Sequence, residues 1–170
     1  FMKLLSSFLP ASALAVLLFS CGPSRVQSSA SAPAAATQPE SGYNEALARQ
    51  LNADSYGMKK YVMAFLKSGP NRNQDSETAA GLQQAHMANI SRLAEEGKLI
   101  LAGPFLDKGE VRGIYIFNVE SLEEAARLTE TDPAIKAGRL VMELHPWYGS
   151  AALQQVNAIH NTLSQTPIDK

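Results

Sequence analysis

The sequence predicts an α+β domain with a ferredoxin-like βαββαβ order, in which one antiparallel sheet carries both helices on the same face. Segments rich in Val, Ile, Tyr and Phe alternate with two segments of helical periodicity, and turn residues separate them. The chain has 170 residues, a formal net charge of -1 and 45% hydrophobic residues. These values suit one globular domain together with a non-globular segment.

The first half of this order is a strand followed by a helix. Strand-favouring residues dominate Met58 to Leu66, and Ser68-Gly69-Pro70-Asn71 is typical of a turn. Asp75 and Ser76 are candidate N-caps of a helix that Gly97 ends.

The second half begins with a predicted hairpin and ends with a strand. Leu99–Ala102 forms the second strand, stopped by Gly103-Pro104, and Ile114–Phe117 forms the third. The capping box Ser121-Leu122-Glu123-Glu124 then starts a second helix. Asp132 caps one further turn with Pro133 at its first position, and Leu140–His145 is the fourth strand.

Both faces of the first strand are apolar, although the predicted helices cover only one face. Its alternating sets are Tyr61, Met63 and Phe65 on one side, and Val62, Ala64 and Leu66 on the other. An uncovered apolar face favours association, so we predict a homodimer with facing sheets, a dimeric α+β barrel. A C-terminal extension, residues 150–170, is predicted to form a helix that packs on the neighbouring subunit. Its apolar stripe is Leu153, Val156, His160 and Leu163.

The N-terminus has the pattern of a secretory signal peptide over residues 1–20. Lys3 precedes an apolar run, Leu4 to Phe19, that is short for a membrane-spanning helix. Leu18-Phe19-Ser20-Cys21 resembles a bacterial lipobox, which implies cleavage before Cys21 and acylation of its thiol. An uncleaved N-terminal anchor is the alternative. Either arrangement attaches the protein to a membrane.

The residues after Cys21 predict the location and a tether. Pro23 stands where an aspartate would mark inner-membrane retention in enteric bacteria, which favours the outer membrane, facing the periplasm. Residues 21–57 form the predicted tether, since Gly22 to Gly42 consists largely of Ser, Ala, Pro and Gln. Within it, apolar residues at helical spacing over Asn44–Asn52 indicate a short helix. The domain itself is assigned to residues 58–149.

Several classes of chemistry are not predicted. The near-balance of charges gives no footprint for nucleic acid, and a single cysteine cannot supply a thiolate zinc site. The sequence has no H-x-x-H or H-E-x-x-H spacing, no glycine-rich phosphate loop and no G-x-S-x-G elbow. We therefore predict no metal, no nucleotide, no other cofactor and no acyl-enzyme chemistry.

A set of residues spread over Met58 to Tyr148 resembles the YCII-related family. The set comprises His86, Leu93, Gly97, Gly103-Pro104-Phe105, Gly113, Ser121, Glu124-Ala125-Ala126, Asp132-Pro133 and Pro146-Trp147. The resemblance implies the ferredoxin-like dimer and a site built from His86 and Asp132. One such relative is a dehydrochlorinase of chlorinated hydroxyquinols, and muconolactone isomerases share the barrel. Small cyclic or aromatic compounds are therefore the implied ligands.

His86 lies four residues after Leu82 and four before Ile90, on the stripe of the helix that faces the sheet. A buried imidazole held by a carboxylate is suited to act as a general base, with Asp132 as its orienting partner. The alternative is a core histidine and an aspartate that serves only as an N-cap.

Further candidates for ligand contact are Gly103, Pro104, Phe105 and Trp147. A glycine at a strand end allows close approach of a ligand, but a hairpin corner requires the same residues. Trp147 either walls a pocket or fills the core. Arg112 and Arg139 are cationic candidates for an acidic substrate, or solvated strand-end charges.

Two hypotheses of function stay open from the sequence. The first is a cofactor-independent lyase or isomerase of the cell envelope, with His86 as base. The second is a lipid-anchored module that binds a small molecule or a protein and performs no chemistry.

Overall fold

A four-stranded antiparallel sheet organises residues 42–166, the part of the chain that the computed structural model describes. Its strands are β1 (Met58–Ser68), β2 (Leu99–Pro104), β3 (Val111–Phe117) and β4 (Leu140–Ser150), in the spatial order β2-β3-β1-β4. The helices are α1 (Glu45–Gln50), α2 (Ser76–Glu95), α3 (Leu122–Thr129), α4 (Pro133–Lys136) and α5 (Val156–Leu163). The predicted α+β class and βαββαβ order are confirmed.

The predicted N-terminal features fall partly outside the described residues. The signal peptide (1–20), Cys21 and the tether up to residue 41 lie there. The predicted short helix is present as α1, and the side chain of Asn44 accepts a hydrogen bond from the Leu47 N–H at 3.0 Å. Within the described part of the chain, no helix is both long and apolar enough to cross a membrane.

Side-chain caps start the helices where the sequence places them. The Asp75 carboxylate accepts from the Thr78 N–H at 2.7 Å, and the Ser121 hydroxyl accepts from the Glu124 N–H at 3.1 Å. Each bond satisfies one of the backbone donors that the first turn of a helix leaves unpaired. The predicted starts of α2 and α3 are therefore confirmed.

All four strands are longer than predicted, and β1 ends at Ser68 instead of Leu66. β4 continues past His145 to Ser150 and pairs with β1 along its whole length, and β2 includes Gly103 and Pro104. β4 and β2 are the edge strands, where a proline whose N–H would face outward removes no ladder bond, so neither Pro104 nor Pro146 ends its strand. β3 begins earlier, at Val111.

Apolar residues form a cluster on each face of the sheet. The helix-side cluster contains Val62, Ala64, Leu93, Leu99, Tyr115, Phe117, Val119 and Ala125, which includes residues of both α2 and α3. The opposite, open face carries Tyr61, Ile100 and Ile116, with Met63, Leu101, Trp147 and Leu153 packed against them. The strands and both clusters lie between Gly42 and Lys170, so a fragment of these residues contains the complete fold.

The first part of the C-terminal extension packs on the chain's own sheet, and the packing of its helix on a neighbouring subunit stays a prediction. Leu153 lies in a 3₁₀ segment, Ala151–Gln155, and not in the α-helix. It contacts the open-face cluster, because the chain turns back over the sheet directly after β4. The Asn157 Nδ2 then donates to the Leu99 carbonyl of β2 at 2.8 Å. Leu163, assigned to the apolar stripe, is 74% exposed.

We expect Gly113→Ala to lower the free energy of unfolding by about 1–3 kcal/mol, because added atoms in a packed site force the backbone to shift. A Cβ on Gly113 would lie 2.6 Å from the Gly103 carbonyl oxygen and 3.2 Å from the Pro104 Cα. Gly103→Ala is the matched control, since a Cβ there meets no atom within 4 Å. Urea denaturation of the two variants measures the difference, and equal stabilities would contradict the close approach.

Candidate acid-base site

His86 and Asp132 are in contact in the interior of the domain. His86 lies on α2 and faces the sheet, with 5% of its surface exposed, and Asp132 is fully buried. The His86 Nδ1 lies 2.5 Å from the Asp132 Oδ2. The structure thus brings the two predicted residues together, while their catalytic role stays a prediction.

Asp132 uses its two carboxylate oxygens for different partners. Oδ1 accepts a hydrogen bond from the Ala134 N–H at 2.8 Å and caps α4, and Oδ2 faces the His86 imidazole. The predicted helix cap and the predicted orienting contact are therefore properties of one side chain. Because a carboxylate is acceptor-only, the hydrogen bond requires the proton on the His86 Nδ1.

Tyr115 is a third member of the site, which sequence analysis missed. Its hydroxyl lies 3.3 Å from the His86 Nε2, and the two rings are tilted by only 18°. Burial, and secondly the charge of Asp132, raise the pKa of Tyr115 well above its ordinary value, so the phenol stays protonated. It can therefore donate to the Nε2 lone pair of a neutral imidazole. Tyr115 alternates with Phe117 on the helix-facing side of β3, a spacing that would have placed it opposite α2.

A polar bridge fixes α2 to the segment before Asp132. The Asn89 Oδ1, one turn after His86, accepts from the Arg92 guanidinium at 2.8 Å and from the Thr131 hydroxyl at 3.0 Å. Thr131 directly precedes Asp132, and Asn89 is 8% exposed. This bridge holds the two sides of the His86–Asp132 contact at a fixed separation.

The imidazole has little contact with the surface. Neither of the cavities described below is lined by His86. In a helix the Cα–Cβ bonds tilt toward the N-terminus, so the ring leans toward Leu82, which is half-buried, and away from the fully buried Leu93.

Trp147 lies on the face of the sheet opposite His86. It packs against Tyr61 on the open face, with ring centroids 5.9 Å apart, and its indole stands over Gly149. It also lines a cavity of about 300 Å³ with Lys60 and Tyr148. Trp147 therefore packs on the open face and borders a cavity, but it does not share a site with His86, and its contact with a ligand stays a prediction.

The other predicted ligand contacts are also separate from the imidazole. Gly103 pairs with Ile114, and since Ile114 pairs with Phe65, it lies on the open face. Pro104 is exposed in β2, and Phe105 follows it with 45% of its surface exposed. Strand alternation explains why residues adjacent in sequence do not all reach one site.

The two arginines considered for an acidic substrate bind parts of their own chain. The Arg112 guanidinium lies 3.4 Å from the Gly109 carbonyl oxygen and 3.5 Å from that of Asp107. Arg139 donates to the Gln74 side-chain oxygen at 3.0 Å. Among residues 42–166, no three His, Cys, Asp or Glu side chains are grouped as metal ligands.

We expect the protein to lose stability more steeply than its Tyr115→Phe variant above pH 10. The pKa of Tyr115 is higher in the folded state than the value of about 10 in the unfolded state. Above pH 10 the unfolded chain therefore loses the phenol proton more readily than the folded chain does, so the free energy of unfolding falls as the pH rises. The extra loss between pH 10 and 11 is about 1 kcal/mol. Urea denaturation at the two pH values measures it, and parallel profiles would show that the Tyr115 phenol is not protected in the fold.

The fold and the site define a ferredoxin-like α+β domain with an interior His–Asp–Tyr cluster. The chain belongs to the YCII-related family, whose domain it matches over residues 61–148. It is 34% identical over 90 residues to the uncharacterized protein YjpA of Bacillus subtilis (strain 168), an alignment that covers 53% of this chain and 95% of YjpA.

A solved structure with a similar fold is that of 5-chloro-2-hydroxyhydroquinone dehydrochlorinase (TftG) from Burkholderia phenoliruptrix AC1100, in complex with 2,5-dihydroxybenzoquinone. The sequence identity is 22% and the TM-score is 0.39. The likeness covers 51% of this chain and 92% of that chain.

Proposed function

We propose that this protein is a cofactor-independent lyase or isomerase that uses His86 as a general base on a small cyclic or aromatic compound. The observation that carries the proposal is the contact of 2.5 Å between the buried His86 Nδ1 and the fully buried Asp132. Capping α4 requires only one oxygen of Asp132, and an exposed aspartate performs the same task at Asp75. Desolvation offsets much of the attraction in a buried pair, so a gain in stability alone is a weak explanation for this contact.

The geometry favours proton abstraction at the His86 Nε2. Asp132 fixes the proton on the His86 Nδ1 and so leaves the Nε2 lone pair available. The negative charge of Asp132 would then stabilise the imidazolium that forms when Nε2 takes a proton. In the resting state the Tyr115 hydroxyl faces this lone pair. A substrate C–H beside a carbonyl would take the place of that hydroxyl, and the displaced phenol would be a neutral donor for an adjacent substrate oxygen.

The experiment that tests the proposal follows deuterium incorporation from D₂O into small cyclic acids, lactones and quinols. Exchange of an acidic C–H needs a base but no leaving group, so it detects both isomerase and lyase chemistry. The fragment Gly42–Lys170 should catalyse exchange in at least one compound. His86→Asn should abolish it, and His145→Asn, which changes a half-buried histidine on the open face, should retain it. Equal exchange by the two variants would refute the role of His86.

The burial of His86 favours a second candidate, a module that binds a small molecule or a protein without chemistry. In that case the His86–Asp132–Tyr115 cluster stabilises the core, and ligands bind at the surface. Absence of exchange in any compound, together with saturable binding that His86→Asn leaves unchanged, would support this second function.

We also propose that the domain is a lipid-anchored homodimer of the cell envelope. Its support is the lipobox-like sequence at Cys21 and the apolar open face, where Met63 and Phe65 are half-buried. Intact mass spectrometry of the protein from bacterial membranes would show loss of residues 1–20 and acylation of Cys21, and separation of the two membranes would give its location. Light scattering of the fragment would show a mass twice that of one chain; a single-chain mass would refute the homodimer.

A further inference from the structure

A cavity of about 370 Å³ lies between the C-terminal half of α2, strand β2 and helix α5. His86, Asp132 and Tyr115 do not line it. Its volume falls within the range of about 300–1,000 Å³ that is usual for small-molecule sites. This cavity is therefore separate from the acid-base site, and binding of a ligand in it does not depend on the function proposed above.

The walls of this cavity combine an apolar floor with a polar rim. Ile90, Leu99, Leu101 and Val156 supply apolar surface, and Glu95 and His160 supply the ionisable groups. The salt bridge at this end of α2 joins Arg92 to Glu96 and does not involve Glu95. No lysine or arginine is among the described residues that line the cavity.

The C-terminal extension builds one wall of the cavity and is held by a partly buried hydrogen bond. The Asn157 side chain, at the start of α5, donates to the Leu99 carbonyl of the edge strand. α5 lies beyond residues 61–148, which match the YCII-related domain. The cavity therefore requires the extension, which supplies one wall, together with α2 and β2 of the matched family domain.

We propose that this cavity binds a small organic amine with an apolar body of about the size of one phenyl ring. The apolar floor removes the body from water, which contributes about 25 cal/mol per Å² of apolar area. The ammonium group lies at the rim beside the Glu95 carboxylate, and the rim hydroxyl and amide groups accept its remaining N–H groups. An anionic ligand of the same shape is repelled by Glu95 and meets no cationic lysine or arginine.

The experiment titrates the methyl-labelled fragment Gly42–Lys170 at pH 8 with 2-phenylethylamine and with 3-phenylpropionate, which differ in charge at similar length. We expect saturable chemical-shift changes in the methyl groups of Ile90, Leu101 and Val156 with the amine, and weaker changes with the carboxylate. Equal affinities of the two compounds, or shifts centred on Met63 and Ile114 of the open face, would overturn the proposal.

Two variants test the contribution of the Glu95 charge and that of the cavity volume separately. Glu95→Gln should weaken amine binding about threefold, the magnitude of a partly exposed ion pair, and should leave carboxylate binding unchanged or stronger. Glu130→Gln is the matched control, an exposed glutamate at the end of α3. Ala94→Phe fills the cavity and should abolish amine binding while the β1 methyl signals keep their positions. Amine binding that survives Ala94→Phe would refute the site.

Discussion

Replacement of Asp132 by alanine is expected to lower the free energy of unfolding by about 3–5 kcal/mol, the range for removing one partner of a buried charged pair. The change leaves the Ala134 N–H and the His86 Nδ1–H without their acceptor at a position where the Asp132 side chain is fully buried. Each unsatisfied buried donor costs about 1–3 kcal/mol, and the lost carboxylate leaves a void besides.

Asp75→Ala is the matched control for this prediction. Asp75 also caps a helix, with bonds to the Thr78 N–H at 2.7 Å and to the Thr78 hydroxyl at 3.0 Å, but it is exposed. Removal of an exposed cap costs about 0.5–2 kcal/mol. Urea denaturation of the two alanine variants therefore compares the free energy of unfolding lost with a simple helix cap and that lost with a cap that also contacts a histidine. Equal losses would mean that the His86 contact adds nothing to stability.

The chain order of the fold could be predicted because local signals determine it. Turn residues separate the strands, and caps such as Asp75 and Ser121 mark helix starts whose bonds form within one turn. The strand ends were predicted less well. A proline such as Pro104 or Pro146 ends a strand only where the N–H that it lacks would have bonded to a neighbouring strand. That position depends on which strands form the sheet edges, and this is a property of the whole sheet.

The candidate site could be predicted only in part, for the same reason. Helical spacing placed His86 toward the sheet, and the Asp-Pro pair placed Asp132 at a helix start, so their contact followed from two local patterns and the family resemblance. The contact between the Tyr115 hydroxyl and the His86 Nε2 could not be predicted, because it depends on which residue of β3 lies beneath His86 of α2. The contact of the extension with the chain's own sheet was not predicted, because no local pattern distinguishes packing on the chain's own sheet from packing on another subunit.

If the acid-base proposal is correct, His86→Asn is expected to lower kcat by about 10²–10⁴-fold on any compound that the protein turns over, the usual contribution of a positioned general base. The asparagine amide stands close to the position of Nδ1 and keeps a donor for Asp132, but no basic atom remains at the position of Nε2. Because the lost group acts on the reacting proton, KM should change little while kcat falls.

Two further variants distinguish a base from a structural histidine. Asp132→Asn keeps an acceptor for the Ala134 N–H but turns its amide N–H toward the His86 Nδ1. The imidazole proton then lies on Nε2, where the base must act, so we expect a loss of kcat comparable to that of His86→Asn. His145→Asn should retain full kcat, since that imidazole pairs with Glu143 on the open face. A kcat for His86→Asn within twofold of the unaltered protein, at equal stability, would leave His86 as a core residue and would make the binding module the better account of the protein.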